Sequence, residues 1–335
     1  MCSFLVAAAV LVIVPHRAAA QDGAGAVFAM TNAASNNQIN AYTRREDGLL
    51  EFSAAFPTGG NGSGGTVDPL HSQGSLTLSA DHRLLFAVNA GSGTVTAFAV
   101  DGASISLLDT EPTGGSMPTS VTQAGHLVYV LNAGGNGSVS GFRILGNGHL
   151  SPIKDSTHNL SGSATGPTDV IFSPNRQFLI VPESATNKID VFRVFPNGTL
   201  SNPMVTDSAG AKPFAAVFAP RGALIVGNVS NTVSNTISSY QLNWNGSLHN
   251  ISNALPTDGM ATCWDGPLCI HSQCRQFDTL WNTGFYAGDV GAGSGRLFGF
   301  RIAGKQRNVA VIAFRIPFLS ERNAGHAMQS AQWWL

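Results

Sequence analysis

Short runs rich in Val, Ile, Thr, Phe and Tyr alternate along this chain with gaps rich in Gly, Asn, Ser and Asp, the composition expected of strands joined by tight turns. Thr94 to Phe98 alternates polar and apolar residues, as a strand with one drier face should. Asn147-Gly148, Asn197-Gly198, Asn245-Gly246 and Asp47-Gly48 read as two-residue hairpin turns, because both residue types tolerate positive φ. A leucine follows each at a fixed offset, Leu150, Leu200, Leu248 and Leu50, and is expected to start an outer strand and pack inward. Beyond the N-terminus no stretch sustains a 3.6-residue apolar period, so the pattern predicts an all-β protein.

The runs repeat. Leu84 to Asn89, a small-residue turn and Thr94 to Phe98 form one copy; Leu127 to Asn132 with Ser138 to Phe142, and Phe178 to Pro182 with Lys188 to Phe192, form two more. Looser copies run from Val27 to Tyr42 and from Leu224 to Tyr240. The closing aromatics Phe98, Phe142, Phe192 and Tyr240 are 44, 50 and 48 residues apart. A period of about 40–50 residues with several strands per unit predicts a β-propeller of four-stranded blades, in which neighbouring blades bury one another's faces. About five blades fit within residues 26–264, and Ala261 to Trp264 opens a sixth. From Asp265 the rhythm is lost until Gly291 to Phe300. Residues 265–335 are therefore expected to form a divergent blade remnant, either a diverged cap or the product of a misread gene, that leaves the ring poorly closed.

Composition narrows the function. Charged residues make up 11% and the net charge is -1, which argues against a nucleic-acid partner, since that needs a basic face. Phe4 to Val14 is an apolar run followed by Ala18-Ala19-Ala20, the pattern of a secretory leader over residues 1–20, so a secreted protein with no membrane anchor after cleavage, and a monomer, is expected. Seven Asn-x-Ser/Thr sequons, at Asn61, Asn136, Asn159, Asn197, Asn228, Asn245 and Asn250, would make it a glycoprotein in a eukaryotic secretory route. Cys263, Cys269 and Cys274 match no standard zinc spacing, and the histidines show no paired ligand spacing, so neither metal nor cofactor is expected. Gly59 to Gly65 lacks the Lys-Ser/Thr ending of a phosphate loop and reads as a flexible loop.

Ser72-Gln73-Gly74-Ser75-Leu76 through Val95, Gly166-Pro167-Thr168 through Asn175, and Ala261 to Trp264 resemble the lactonase-type seven-bladed propeller family, which includes 6-phosphogluconolactonase and carboxymuconate cyclase. The resemblance implies a seven-bladed ring and a small lactone or carbohydrate-derived ligand. Where the phosphogluconolactonase branch carries histidines, this chain has Thr168 and Ser75, while the family's acid is matched by Glu183. Lactone opening needs a base or acid for the moving proton and donors for the oxyanion. Glu183 and His71 are the candidate catalytic residues, with Gln73, Thr168 and Arg176 as candidate substrate contacts. Two functions fit: a hydrolase or cyclase acting on a small sugar or muconate-type lactone, and a propeller without catalysis used as a binding scaffold. Asn32, Asn89, Asn132 and Asn228 recur at strand ends and are expected to hold turn backbone.

Overall fold

The computed structural model describes residues 25–45, 49–65, 69–220, 222–229, 235–256, 262–268, 284–289, 297–303 and 310–315. The 1–20 leader, the Asp47-Gly48 turn, Arg221, Cys269 and Cys274 lie outside the described residues.

All described regular structure is β, in six antiparallel meander sheets. The first holds β1 (Ala26–Met30), β2 (Gln38–Arg44) and β3 (Leu50–Pro57). The second holds β4 (Leu76–Leu78), β5 (Leu84–Asn89), β6 (Thr94–Asp101) and β7 (Ser104–Pro112). The third holds β8 (Pro118–Ala124), β9 (Leu127–Asn132), β10 (Ser138–Ile144), β11 (Leu150–Pro152) and β12 (His158–Asn159). The fourth holds β13 (Ile171–Phe172), β14 (Phe178–Glu183), β15 (Lys188–Arg193) and β16 (Met204–Asp207). The fifth holds β17 (Pro213–Phe218), β18 (Ala223–Asn228), β19 (Thr236–Leu242) and β20 (Leu248–Pro256). The sixth holds β21 (Thr262–Leu268), β22 (Gly284–Asp289), β23 (Leu297–Ala303) and β24 (Ala310–Arg315). Its backbone repeats the meander although the sequence after Asp265 does not alternate.

First strands neighbour first strands, β4 against β8 and β8 against β13, while β7 meets β11 and β20 meets β24. The sheets are thus blades set around an axis, with first strands inside and last strands at the rim. A blade is covered on both faces, so its middle strands are apolar at nearly every position. In β14, Leu179 and Val181 join the core shared with the third blade, while Phe178 and Ile180 join that shared with the fifth. The aromatics that close the repeats, Phe98, Phe142, Phe192 and Tyr240, are all essentially buried, each worth roughly 1.5–3 kcal/mol relative to exposure.

Three local features depart from the sequence expectation. The Asn-Gly hairpins are three-residue loops: Leu145, Phe195 and Asn243 donate their N–H to the carbonyls of His149, Thr199 and Ser247. Only the glycines, Gly148, Gly198 and Gly246, take positive φ. The asparagine instead uses its side chain, Asn147 Oδ1 accepting from His149 N–H at 3.2 Å and Asn197 Oδ1 from Thr199 N–H at 3.1 Å, so it acts as an Asx turn rather than a left-handed residue. The third blade's outer strand is broken into β11 and β12, both on β10, because the Ser156 hydroxyl fills the gap, accepting from Gly141 N–H at 3.0 Å and donating to its carbonyl at 3.1 Å. The Gly59–Gly65 segment is held down: Gly62 and Gly64 donate to the carbonyls of Ala33 and Asn32, and Gly91 donates to that of Asn61.

Candidate functional site

The repeat places one polar constellation in each middle blade. At the end of the second strand an asparagine reaches across to two hydroxyls on the third. Asn89 Nδ2 donates to Thr94 Oγ1 and Thr96 Oγ1, both at 3.0 Å. Asn132 Nδ2 donates to Ser138 Oγ at 3.3 Å and Ser140 Oγ at 3.1 Å. Asn228 Nδ2 donates to Thr236 Oγ1 at 3.1 Å and Ser238 Oγ at 2.9 Å. These asparagines are buried, and each lies under the loop arriving from the preceding blade. A Cβ on Gly60, Gly115 or Gly210 would come within 2.2–2.5 Å of the asparagine beneath it, which is why that loop position is glycine. The role is structural, but it binds side chains across the blade more than turn backbone. Asn32 alone works on a loop, accepting from Ser63 N–H at 3.0 Å and donating to Gly64 O at 3.3 Å.

The fourth blade breaks the pattern. Glu183 stands in the asparagine's place, Lys188 opposite it in register, and Asp190 where Thr96, Ser140 and Ser238 stand elsewhere. Glu183 and Asp190 face the same way as diagonal neighbours on adjacent strands, and both are 0% exposed. The loop from the third blade supplies donors where the other loops carry glycine or alanine. Ser161 N–H donates to Glu183 Oε1 at 3.0 Å and Ser161 Oγ to Oε2 at 2.7 Å, while Thr186 Oγ1 also donates to Oε2. Asp190 is not so served: neither of its oxygens meets a hydroxyl or N–H at hydrogen-bonding geometry. Burial, and then the Glu183 charge, push its pKa up to about 8 against the pull of the Ser161 amide and Lys188.

His71, Gln73 and Thr168 cluster at the same end of the blades. The segment before β4 lies across the starts of the inner strands. Ser72 Oγ donates to the Thr168 carbonyl at 2.6 Å, Gln73 N–H to the same carbonyl, and Val121 N–H to the Gly74 carbonyl. His71, at φ 46°, sets its ring edge-on to Phe214 at 5.0 Å. Thr168 N–H donates to the Pro182 carbonyl, next to Glu183, and Pro167 bridges Glu183 itself. Thr168 is buried, its hydroxyl committed to the Phe214 carbonyl at 2.6 Å.

Beside it lies Asp169, a buried carboxyl that sequence reasoning did not single out. It accepts from Ser120 Oγ at 3.3 Å and from Ala216 N–H at 3.1 Å, so it ties the third, fourth and fifth blades together. Burial pushes its pKa up to about 7, the two hydrogen bonds opposing. Asp190 was missed too, though it had a signal: it lies two residues before the closing aromatic, where the other copies carry Thr96, Ser140 and Ser238.

Arg176 is not part of this group. It sits in the β13–β14 hairpin, five strand residues from Glu183, or roughly 17 Å along β14. There it borders a cleft of about 370 Å³ between the third and fourth blades, with His126, Leu127, Phe172, Gln177 and Arg193.

Residues 39–168 match the family described as lactonase, 7-bladed beta-propeller. No curated protein matches the chain. In shape it is similar to a protein from Lactobacillus plantarum, at 16% identity and TM-score 0.56, over 86% of this chain and 82% of that one. It is also similar to a functionally unknown protein from Desulfotomaculum acetoxidans DSM 771, at 12% identity and TM-score 0.62, over 88% and 81%. A periplasmic gluconolactonase from Pseudomonas aeruginosa aligns over 87% of this chain and 95% of its own, at 16% identity and TM-score 0.48. At these identities the structural likenesses bear on fold alone. Six meander blades set about one axis make the chain a β-propeller, and residues 39–168, which span strands of its first three blades, are similar to the lactonase-type seven-bladed family.

Proposed function

We propose that this protein is a secreted lactonase-type enzyme that opens, or in reverse closes, a small lactone ring, with Glu183 as its acid–base group. The observation that supports the reading is the fourth blade itself. A scaffold that elsewhere uses a neutral Asn–Ser/Thr set carries a buried carboxyl pair there, and buried carboxyls are costly unless something requires them. In hydrolysis, the Glu183 carboxylate takes a proton from water as the water oxygen bonds to the lactone carbonyl carbon. The ring ester C–O bond then breaks, and the proton returns from Glu183 to the departing ring oxygen, giving the open hydroxy acid. Ser161 and Thr186 hold the carboxylate, and His71 and Gln73 lie at the same end of the blades to meet a sugar or muconate-type ring. Glu183 has no exposed surface, so turnover requires that the packing over it open to admit substrate. The Phe4 to Ala20 pattern supports export, which N-terminal sequencing of protein recovered from the medium would check.

The test is turnover of purified protein on a panel of sugar and aromatic lactones, wild type beside Glu183→Gln. Turnover by the wild type that falls roughly 10²-fold in the variant is expected; equal turnover removes Glu183 from the mechanism. The full burial of Glu183 and Thr168 favours a second reading, a non-catalytic binding scaffold, which absence of turnover by folded wild type would select.

A further inference from the structure

We propose that Asp190 is the positioning residue of this site: it carries a proton inside a dry blade and donates it as a hydrogen bond that orients the Glu183 carboxyl. The inference deepens the lactonase reading and rests on it for the role in turnover, but the location of the proton stands on geometry.

Two carboxyls on diagonal positions of adjacent strands, both 0% exposed, cannot both be ionised without a cation between them. The donors are unevenly shared. Glu183 receives three, from Ser161 N–H, Ser161 Oγ and Thr186 Oγ1, so its oxygens are already served by donors. Asp190 receives none at hydrogen-bonding geometry; its polar neighbours are the Glu183 carboxyl and, more weakly, the Ser161 amide already committed to Glu183. A protonated Asp190 can donate to Glu183, taking the place of the Asn-to-hydroxyl bonds of the other blades. Among the remaining groups facing the pair, the Lys188 charge opposes the proton on Asp190, but burial and the Glu183 carboxyl outweigh it. Lys188 on β15 is paired in register with both Glu183 on β14 and Asp207 on β16. His158 on β12 of the third blade meets Phe192 ring to ring at 6.4 Å.

The linkage has a definite sign. Asp190 is raised from an ordinary aspartate value to about 8, so between about pH 4 and 8 the folded state binds more protons than the unfolded state. Stability contributed by the proton is complete below that window and is lost as pH rises through it. Asp169, raised to about 7, adds a slope of the same sign, so the informative quantity is the difference between wild type and an Asp190 variant.

The experiment uses the full chain as wild type, Asp190→Asn, Asp190→Ser and Glu183→Gln. Infrared difference spectra at pH 7, recorded with Asp169→Asn as the common background so that the other raised acid contributes no band, should show the carbonyl stretch of a buried protonated acid that disappears in Asp190→Asn and persists in Glu183→Gln. Melting temperature should fall from pH 5 to pH 8 more steeply in wild type than in Asp190→Asn or Asp190→Ser. If turnover is present, its alkaline limb near pH 8 should be lost in Asp190→Asn. A band that persists in Asp190→Asn, or an unchanged melting slope in both Asp190 variants, overturns the proposal. A lost band with an unchanged alkaline limb overturns the positioning role. Absence of any turnover defeats the lactonase reading while the spectra and melting curves still decide where the proton lies.

Discussion

Set beside the second, third and fifth blades, the fourth shows how a repeat protein can change chemistry without changing shape. All four pair a second-strand end with the start of the third strand in the same register. In three of them the junction is a neutral amide donating to two hydroxyls, with only Asn132 Oδ1 left without a partner. In the fourth it is a glutamate and an aspartate under a serine-bearing loop. The neutral set costs less to bury because it carries no charge and its amide donors all exchange water for a hydroxyl partner. The acid pair is buried equally deep but is short of donors, so it carries a charge penalty that the other blades avoid. Of these four blades, the fourth alone has a group at this junction able to move a proton at neutral pH.

This contrast is broken most strongly at Glu183. Glu183→Gln should lower lactone turnover roughly 10²-fold with little loss of melting temperature, since an amide still fills the site beside Ser161. The matching change in a neutral blade should do the opposite. Asn89→Ala removes a side chain that donates to Thr94 and Thr96 and accepts from Thr58 at 2.6 Å and Asn37 at 3.0 Å. Stranding those buried partners should cost about 2–3 kcal/mol in denaturant unfolding, with turnover per folded molecule unchanged. Asp169→Asn should flatten the fall in stability between about pH 4 and 7, because the raised pKa of Asp169 makes the folded protein the better proton binder in that window; an unaltered melting profile would count against its protonation. Arg176→Ala, at the far end of β14, should leave both turnover and stability within experimental error, and a loss of turnover would move the site to the cleft it borders.

The ring was legible in the sequence because blade geometry depends on strand composition and on closing aromatics that recur at a regular spacing, both local signals. Glu183 was singled out for a different reason, its place at a strand end matching the acid of the family that the sequence resembles. Asp190 was passed over although it holds a fixed offset from Phe192, because a single acid on a strand looks like an exposed residue until its neighbours are known to bury it. The seat of His71 against Phe214 had no sequence signal, since it depends on a segment preceding β4 that folds onto the fifth blade. Arg176 was drawn into the candidate set by charge and by nearness along the chain to Glu183; strand direction carries the two to opposite ends of one blade. The Asn-Gly turns show the same limit on a smaller scale. Their residue types fixed a tight hairpin, but whether asparagine supplies a left-handed backbone or a side-chain acceptor depended on loop length, which the flanking strands set.

The central claim is that the fourth-blade pair is there for chemistry and that the scaffold does not need it. The most direct measurement is made on the double variant Glu183→Asn/Asp190→Ser, which rewrites the fourth blade with the residue types of the third and fifth. Melting temperature at pH 7.5 and lactone turnover would be measured together against wild type. The account predicts a folded protein at least as stable as wild type, because a buried acid pair has been replaced by a neutral one, with turnover abolished. A folded variant that retains wild-type turnover would contradict it, as would a variant that melts well below wild type at that pH.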